Sequence, residues 1–300
     1  MSTRVPKPFR GLLPSGSGSV EVLKVTTVAL DGTRRDHVEK VVKSTSAEHA
    51  FWTRGTGSDL VREGDRYTVV APTRIRDGGA ETTLEFPYFE EFAGDLRQRE
   101  RTFDDRLLDT VRAVAEFNGR NRVADCQVSA SWPPVRTPEI DEIASTFRVS
   151  DQAARGLRGR WDGSLDNWTR VRSFLDGAPV VVTHNDLHFH NVVHRGETTV
   201  LADLGIADAS PAGAELHTVL RHLRVRKAGH GAVDDMFREY TAVIRQFIPD
   251  VDEVQVRAAA EVKYFSRFTN LGLASGRSRF AFESSLVGIK RAADLVASRP

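Results

Sequence analysis

The chain has 300 residues, 40% of them hydrophobic and 28% charged, a composition that excludes both intrinsic disorder and a fibrous repeat. Its 42 basic and 41 acidic side chains nearly cancel, so it lacks the strong positive field of a nucleic-acid-binding protein and has no basis for adhering to a membrane surface. A single cysteine, Cys126, excludes a disulfide framework and any zinc site built on several thiolates.

The N-terminus carries basic residues without an apolar stretch of signal-peptide length. No run approaches the roughly eighteen apolar residues of a membrane span, so a cytoplasmic location is expected. The residues from Val20 to Leu30 and from His37 to Lys43 read as strands joined across Asp31-Gly32. Ala47 to Arg54 reads as a short helix opened by Thr45, with Glu48 completing a capping box. Tyr67 to Ile75 and Thr82 to Phe89 form a second strand pair across Asp77-Gly78-Gly79. After Phe92 the pattern becomes helical, with Phe103, Leu107, Val111, Val114 and Ala115 on one face. Residues 119–138, with Pro133-Pro134, read as a loop, followed by helices near 139–148 and 164–175. Short strands at 178–184 and 198–203 flank a polar, histidine-rich loop, and helical periodicity returns at 214–226, 232–247, 253–268 and 280–297. The expectation is an α+β chain: residues 1–92 a small antiparallel-sheet lobe, residues 93–300 a larger, mainly helical lobe.

The chemistry concentrates in two segments. In the first, His184 and Asp186 are followed by Asn191 five residues after the aspartate; in the second, Asp203-Leu204-Gly205 closes the next apolar strand. A loop carboxylate, Asp186, can orient a hydroxyl and take its proton. An amide oxygen and a carboxylate, Asn191 and Asp203, suit a hard cation such as Mg2+. This order of base and metal ligands resembles that of the aminoglycoside phosphotransferase and choline kinase-like family, which implies a two-lobed protein-kinase-like fold. The resemblance further implies transfer of the terminal phosphate of ATP, or alternatively GTP, to a hydroxyl of a small molecule. In it His184 orders the loop by hydrogen bonding rather than reacting.

The same resemblance assigns the nucleotide side. Gly16 and Gly18, in a Ser/Gly-rich stretch leading into the first strand, resemble a kinase glycine-rich loop, with Glu21 where the protein-kinase pattern has a third glycine. A strand lysine should reach the phosphates, held by a helix carboxylate. Lys43 is favoured over Lys40, which would then face solvent, and Glu48 or Glu63 is the partner. Glu85-Phe86-Pro87-Tyr88-Phe89 resembles the segment whose backbone contacts the nucleotide base. The acceptor stays open among amino alcohols, sugars, nucleosides and aminoglycoside-like molecules, with Asp208, Glu261 and Glu283 as carboxylates for an amino group. Two other classes compete: a metal-dependent hydrolase built on His184, His188, His190 and His194, and a kinase-like binding module without catalysis.

Overall fold

Alternation along a strand puts Val38, Lys40 and Val42 on one face and His37, Glu39 and Val41 on the other, and the strand that carries them is central in the principal sheet. The computed structural model describes residues 4–8, 19–28, 33–54, 57, 59–93, 95–123, 135, 137–204, 207–275 and 279–299. The chain divides into two units, one taking residues up to Phe117 together with His188–Ala207, the other Asn118–Leu187 together with Asp208–Pro300.

In the first unit, strands Arg4–Pro8 (β1), Ser19–Val28 (β2), Arg34–Lys43 (β3), Arg74–Asp77 (β5) and Glu81–Pro87 (β6) form an antiparallel sheet in the order β1-β2-β3-β6-β5. The β2 to β3 turn at Asp31-Gly32 lies outside the described residues. The β5 to β6 turn follows the sequence signal: Gly79 takes φ +86°, which its missing Cβ permits, and its N–H donates to Asp77 Oδ1 at 2.9 Å. The run expected as one strand from Tyr67 to Ile75 is two, because the chain breaks at Pro72. Tyr67–Val69 (β4) joins a different sheet, pairing in parallel with Thr198–Leu201 (β9), which in turn pairs with Val192–Arg195 (β8). That pairing draws residues 188–207 into the first unit, so the chain does not divide at residue 92. Helix Ala47–Arg54 (α1) has the expected bounds, and Leu96–Asp105 (α2) and most of Leu107–Arg120 (α3) complete this unit.

The second unit is helical: Ile140–Phe147 (α4), Asp151–Phe174 (α5), Leu216–Val225 (α6), His230–Ile244 (α7), Glu253–Ser275 (α8) and Arg279–Ala297 (α9). A two-stranded ladder pairs Val180–Thr183 (β7) with Asp208–Pro211 (β10). Its core gathers Trp161, Leu157 and Val171 of α5, Phe265 and Val262 of α8, and Phe282 and Ile289 of α9. Helix α5 begins thirteen residues before the sequence pattern suggested, capped by Ser150, whose hydroxyl accepts from the Ala153 N–H. Gly156, Gly159 and Gly163 broke that pattern, yet a Cβ at any of them would meet nothing within 4 Å, so they line an open face. Where α8 and α9 pack, a Cβ at Gly288 would stand 2.9 Å from Arg224 Nη2 and closer still to the Glu261 carboxylate. No helix among the described residues is long and apolar enough to cross a membrane.

Candidate active site

In the first unit, strand alternation turns Lys40 inward, where it is 8% exposed. Its ammonium lies 2.7 Å from Glu48 Oε2 and 2.9 Å from Asp203 Oδ1. Burial pulls its pKa down, but the charges of Asp203 and Glu48 outweigh that and hold it above the ordinary lysine value. Glu48 is 1% exposed, and burial, with the like charge of Asp203, pushes its carboxyl above the usual range despite Lys40. Two carboxylates thus share one ammonium, a cluster of net charge −1 when all three are ionised. Lys43, at the exposed end of β3, makes no part of this cluster, so the strand register corrects the sequence preference for Lys43. The capping box is corrected too: Ser46 Oγ accepts from the His49 N–H at 3.1 Å and caps α1, which frees Glu48 for Lys40.

The β8–β9 hairpin places the expected cation ligands. Val192 pairs with Leu201, and one step beyond the ladder the Ala202 N–H donates to the Asn191 carbonyl at 2.9 Å. Asn191 and Asp203 therefore leave the same end of one hairpin. Asp203 has φ +59°, a left-handed conformation that is strained for a residue with a Cβ and is concentrated at functional sites. The loop before Asn191 is clamped by Arg99 of α2, which donates to the carbonyls of Phe92, Phe189 and His190 at 2.7–2.9 Å. Arg99 is buried, and burial lowers its pKa.

In the second unit, His184 is fully buried, and its Nδ1 accepts from the Asp186 N–H at 3.3 Å. Its own N–H donates to Glu215 Oε2, 2.8 Å away at the start of α6. Glu215 is 0% exposed, and burial pushes its carboxyl up to about 8. Asn118 supports the same strand end, donating to the Val182 carbonyl at 2.7 Å and accepting from the Tyr240 hydroxyl. Asp186 faces Arg267 of α8 at 3.7 Å, and Arg267 also donates to the Asn185 carbonyl. Asn185 too is left-handed, at φ +62°.

Other expectations fall as follows. Gly16 and Gly18 lie outside the described residues. Glu85 sits within β6, its carbonyl accepting from the Thr73 N–H at 2.7 Å and the Thr73 hydroxyl at 3.1 Å. Thr73, just before β5, thus supplies both bonds to that carbonyl. Glu63 bridges backbone with Thr68 and stays outside the Lys40 cluster. Among the described residues, His188, His190 and His194 are not part of any group of three metal-ligating side chains. His194 is held by the hydroxyls of Thr110 and Thr199, and its pKa is lowered to about 4, first by burial and then by Arg106. Among the described residues, the one convergence of three metal-ligating side chains lies elsewhere, at His37, Glu39 and Glu85. The carboxylates considered for an acceptor amine are paired within the protein: Asp208 with Lys263, Glu261 with Arg224, Glu283 with Arg279. Glu261 and Glu283 border a cleft of about 650 Å3 in the helical unit, together with Phe280 and Val287. Sequence reasoning missed Arg99, Glu215 and Arg267, each a long-range contact without a local motif.

A small antiparallel-sheet unit and a mainly helical unit make an α+β fold of the protein-kinase-like type. Among solved structures, amicoumacin kinase hAmiN in complex with AMP-PNP, Ca2+ and Ami matches with a TM-score of 0.51 at 13% identity, over 93% of this chain and 89% of that one. Choline kinase from Cryptosporidium parvum Iowa II gives 0.49 at 11% identity over 98% and 89%. A thermostable mutant of aminoglycoside phosphotransferase APH(4)-Ia in its apo form gives 0.48 at 12% over 98% and 96%. No family model matches the sequence, and no curated protein matches it.

Proposed function

We propose that the chain is a small-molecule kinase that moves the terminal phosphate of ATP, or alternatively GTP, to a hydroxyl of a small organic acceptor. The observation that carries this reading is the ion-pair cluster of Lys40, Glu48 and Asp203, with Asn191 set beside Asp203 by hairpin register. A strand lysine held by a helix carboxylate next to a loop aspartate is what positioning of triphosphate oxygens requires. The donor set at the hairpin end, an amide oxygen and a carboxylate in a cluster of net negative charge, fits Mg2+. Asn191 and Asp203 would hold it, and the bound cation would neutralise charge developing on the phosphates.

The remaining work belongs to side chains. Lys40 draws the phosphate oxygens into line, its charge kept by two carboxylates. Asp186 orients the acceptor hydroxyl and takes its proton as the oxygen attacks the terminal phosphorus, and the bond to the leaving diphosphate breaks. His184 and Glu215 hold the backbone on which Asp186 is mounted, and Arg267 steers its carboxylate. The acceptor class is a neutral or weakly basic alcohol, since Asp208, Glu261 and Glu283 are already paired.

The test is thermal stability of wild type and Asp203→Ala with Mg-ATP and Mg-GTP. A ligand at a hundred times its Kd stabilises the native state by about 2.7 kcal/mol, a readily measured rise in midpoint. A magnesium-dependent rise in wild type that disappears in the variant is expected. No rise with either nucleotide would overturn the reading.

A further inference from the structure

We propose that His37, Glu39 and Glu85 form a binding site for a zinc-type divalent cation on the face of the principal sheet opposite Lys40. His37 and Glu39 stand two apart on β3 and so share a face, and Glu85 of β6 lies directly across from Glu39 in the register. One imidazole nitrogen and two carboxylate oxygens all come within 4.8 Å of one another.

The spacing is that of a nearly closed ligand set. Tetrahedral ligands at about 2.1 Å from an ion stand about 3.4 Å apart. His37 Nε2 is 3.5 Å from Glu39 Oε1, so this pair is already at ligand separation, and a rotation of the half-buried Glu85 side chain would bring in the third ligand. Burial prepares the site in the same sense: His37 and Glu39 are 6% and 3% exposed, whereas Glu85 is half-buried and leaves an entry path.

Charge is compatible with a cation there. Two carboxylates facing each other across a strand pair repel. Arg76 supplies one positive charge, 2.6 Å from Glu39 Oε1, and Arg74 of β5 stands across from Glu85 in the register without an ion pair between them. A dication held by His37 Nε2, Glu39 Oε1 and Glu85 would relieve that repulsion, with Arg76 donating to the second lone pair of Oε1 and fixing the carboxylate as outer partners of metal ligands do. An imidazole beside two carboxylates selects Zn2+ or Co2+ over Mg2+ and Ca2+, which take oxygen donors. Three protein ligands leave one position for water. The site is independent of phosphate transfer and would tie β3 to β6 behind Lys40.

The experiment uses untagged, chelator-stripped protein carrying Asp203→Ala, which removes the carboxylate of the phosphate-side ligand pair. Equilibrium dialysis against Zn2+ is expected to give one equivalent per chain, and Co2+ the visible absorption of a low-coordinate, nitrogen-ligated ion. Glu85→Gln, a change at a half-buried position, and His37→Gln should each weaken zinc binding at least about tenfold. Circular dichroism melts without metal confirm that the variants fold. Absence of a bound equivalent would overturn the proposal. So would zinc affinity unchanged in Glu85→Gln, or an equivalent that survives both substitutions and disappears with His190→Ala.

Discussion

Lys40 and Lys43 lie three positions apart on one strand, and the difference between them is one of side-chain direction. The sequence shows two lysines of equal chemical merit; only the register of β3 against β6 reveals that Lys40 is turned toward Glu48 and that Lys43 stands at an exposed end. Removing Lys40 alone would leave Glu48 charged and buried, at a cost of about 3–5 kcal/mol. The informative variant is therefore Lys40→Met combined with Glu48→Gln, which removes both charges. It should fold as wild type while kcat/KM falls about a hundredfold or more, the scale of losing one preorganised charge contact. Lys43→Ala should stay within about twofold, the ordinary effect of an exposed substitution. Equal losses for the two would reverse the assignment.

At the scale of elements, the loop that carries Asp186 is tied to Glu215, the residue immediately before α6. Glu215 binds the His184 N–H with a carboxyl whose pKa burial lifts from 4.5 to about 8. A raised folded-state value means that folding takes up a proton. The stabilisation is fully present below the unfolded value and is lost as pH rises through about 8. Urea unfolding between about pH 5 and about pH 9 should show wild type losing up to roughly 3–5 kcal/mol from this group, and Glu215→Gln should flatten that dependence. A slope unchanged in the variant would place the titration elsewhere. The same element shows why legibility in the sequence was uneven. Helices α6, α7 and α9 and strands β2, β3 and β6 carry their own periodicity and were readable within a few residues, whereas α8 runs seven residues beyond its expected end. Asp186, Asn191 and Asp203 stand close together in the sequence, so they could be proposed from a local motif. Glu215, Arg99 and Arg267 act across 31 to 91 positions, and the latter two are drawn from a chain rich in arginine, so no local pattern singled them out.

For the whole molecule, the main departure from the sequence reading is the return of residues 188–207 to the first unit, imposed by the parallel pairing of β4 with β9 and invisible to any local pattern. The near balance of charge expresses itself as internal pairing: acidic groups that a linear reading offers to a cationic acceptor are spent on Lys263, Arg224 and Arg279. One of these pairs bears on global stability. Because the Glu261 carboxylate fills the space beside Gly288, Gly288→Ala should lower the denaturation free energy by about 1–3 kcal/mol, the usual cost of overpacking. Glu261→Ala should remove most of that penalty, so a double-mutant cycle that proves additive would refute the coupling. Positions 261 and 288 then cannot drift independently: a side chain can be gained at 288 only after the acid at 261 has been lost, which fixes the order in which descendants of this sequence could change the two.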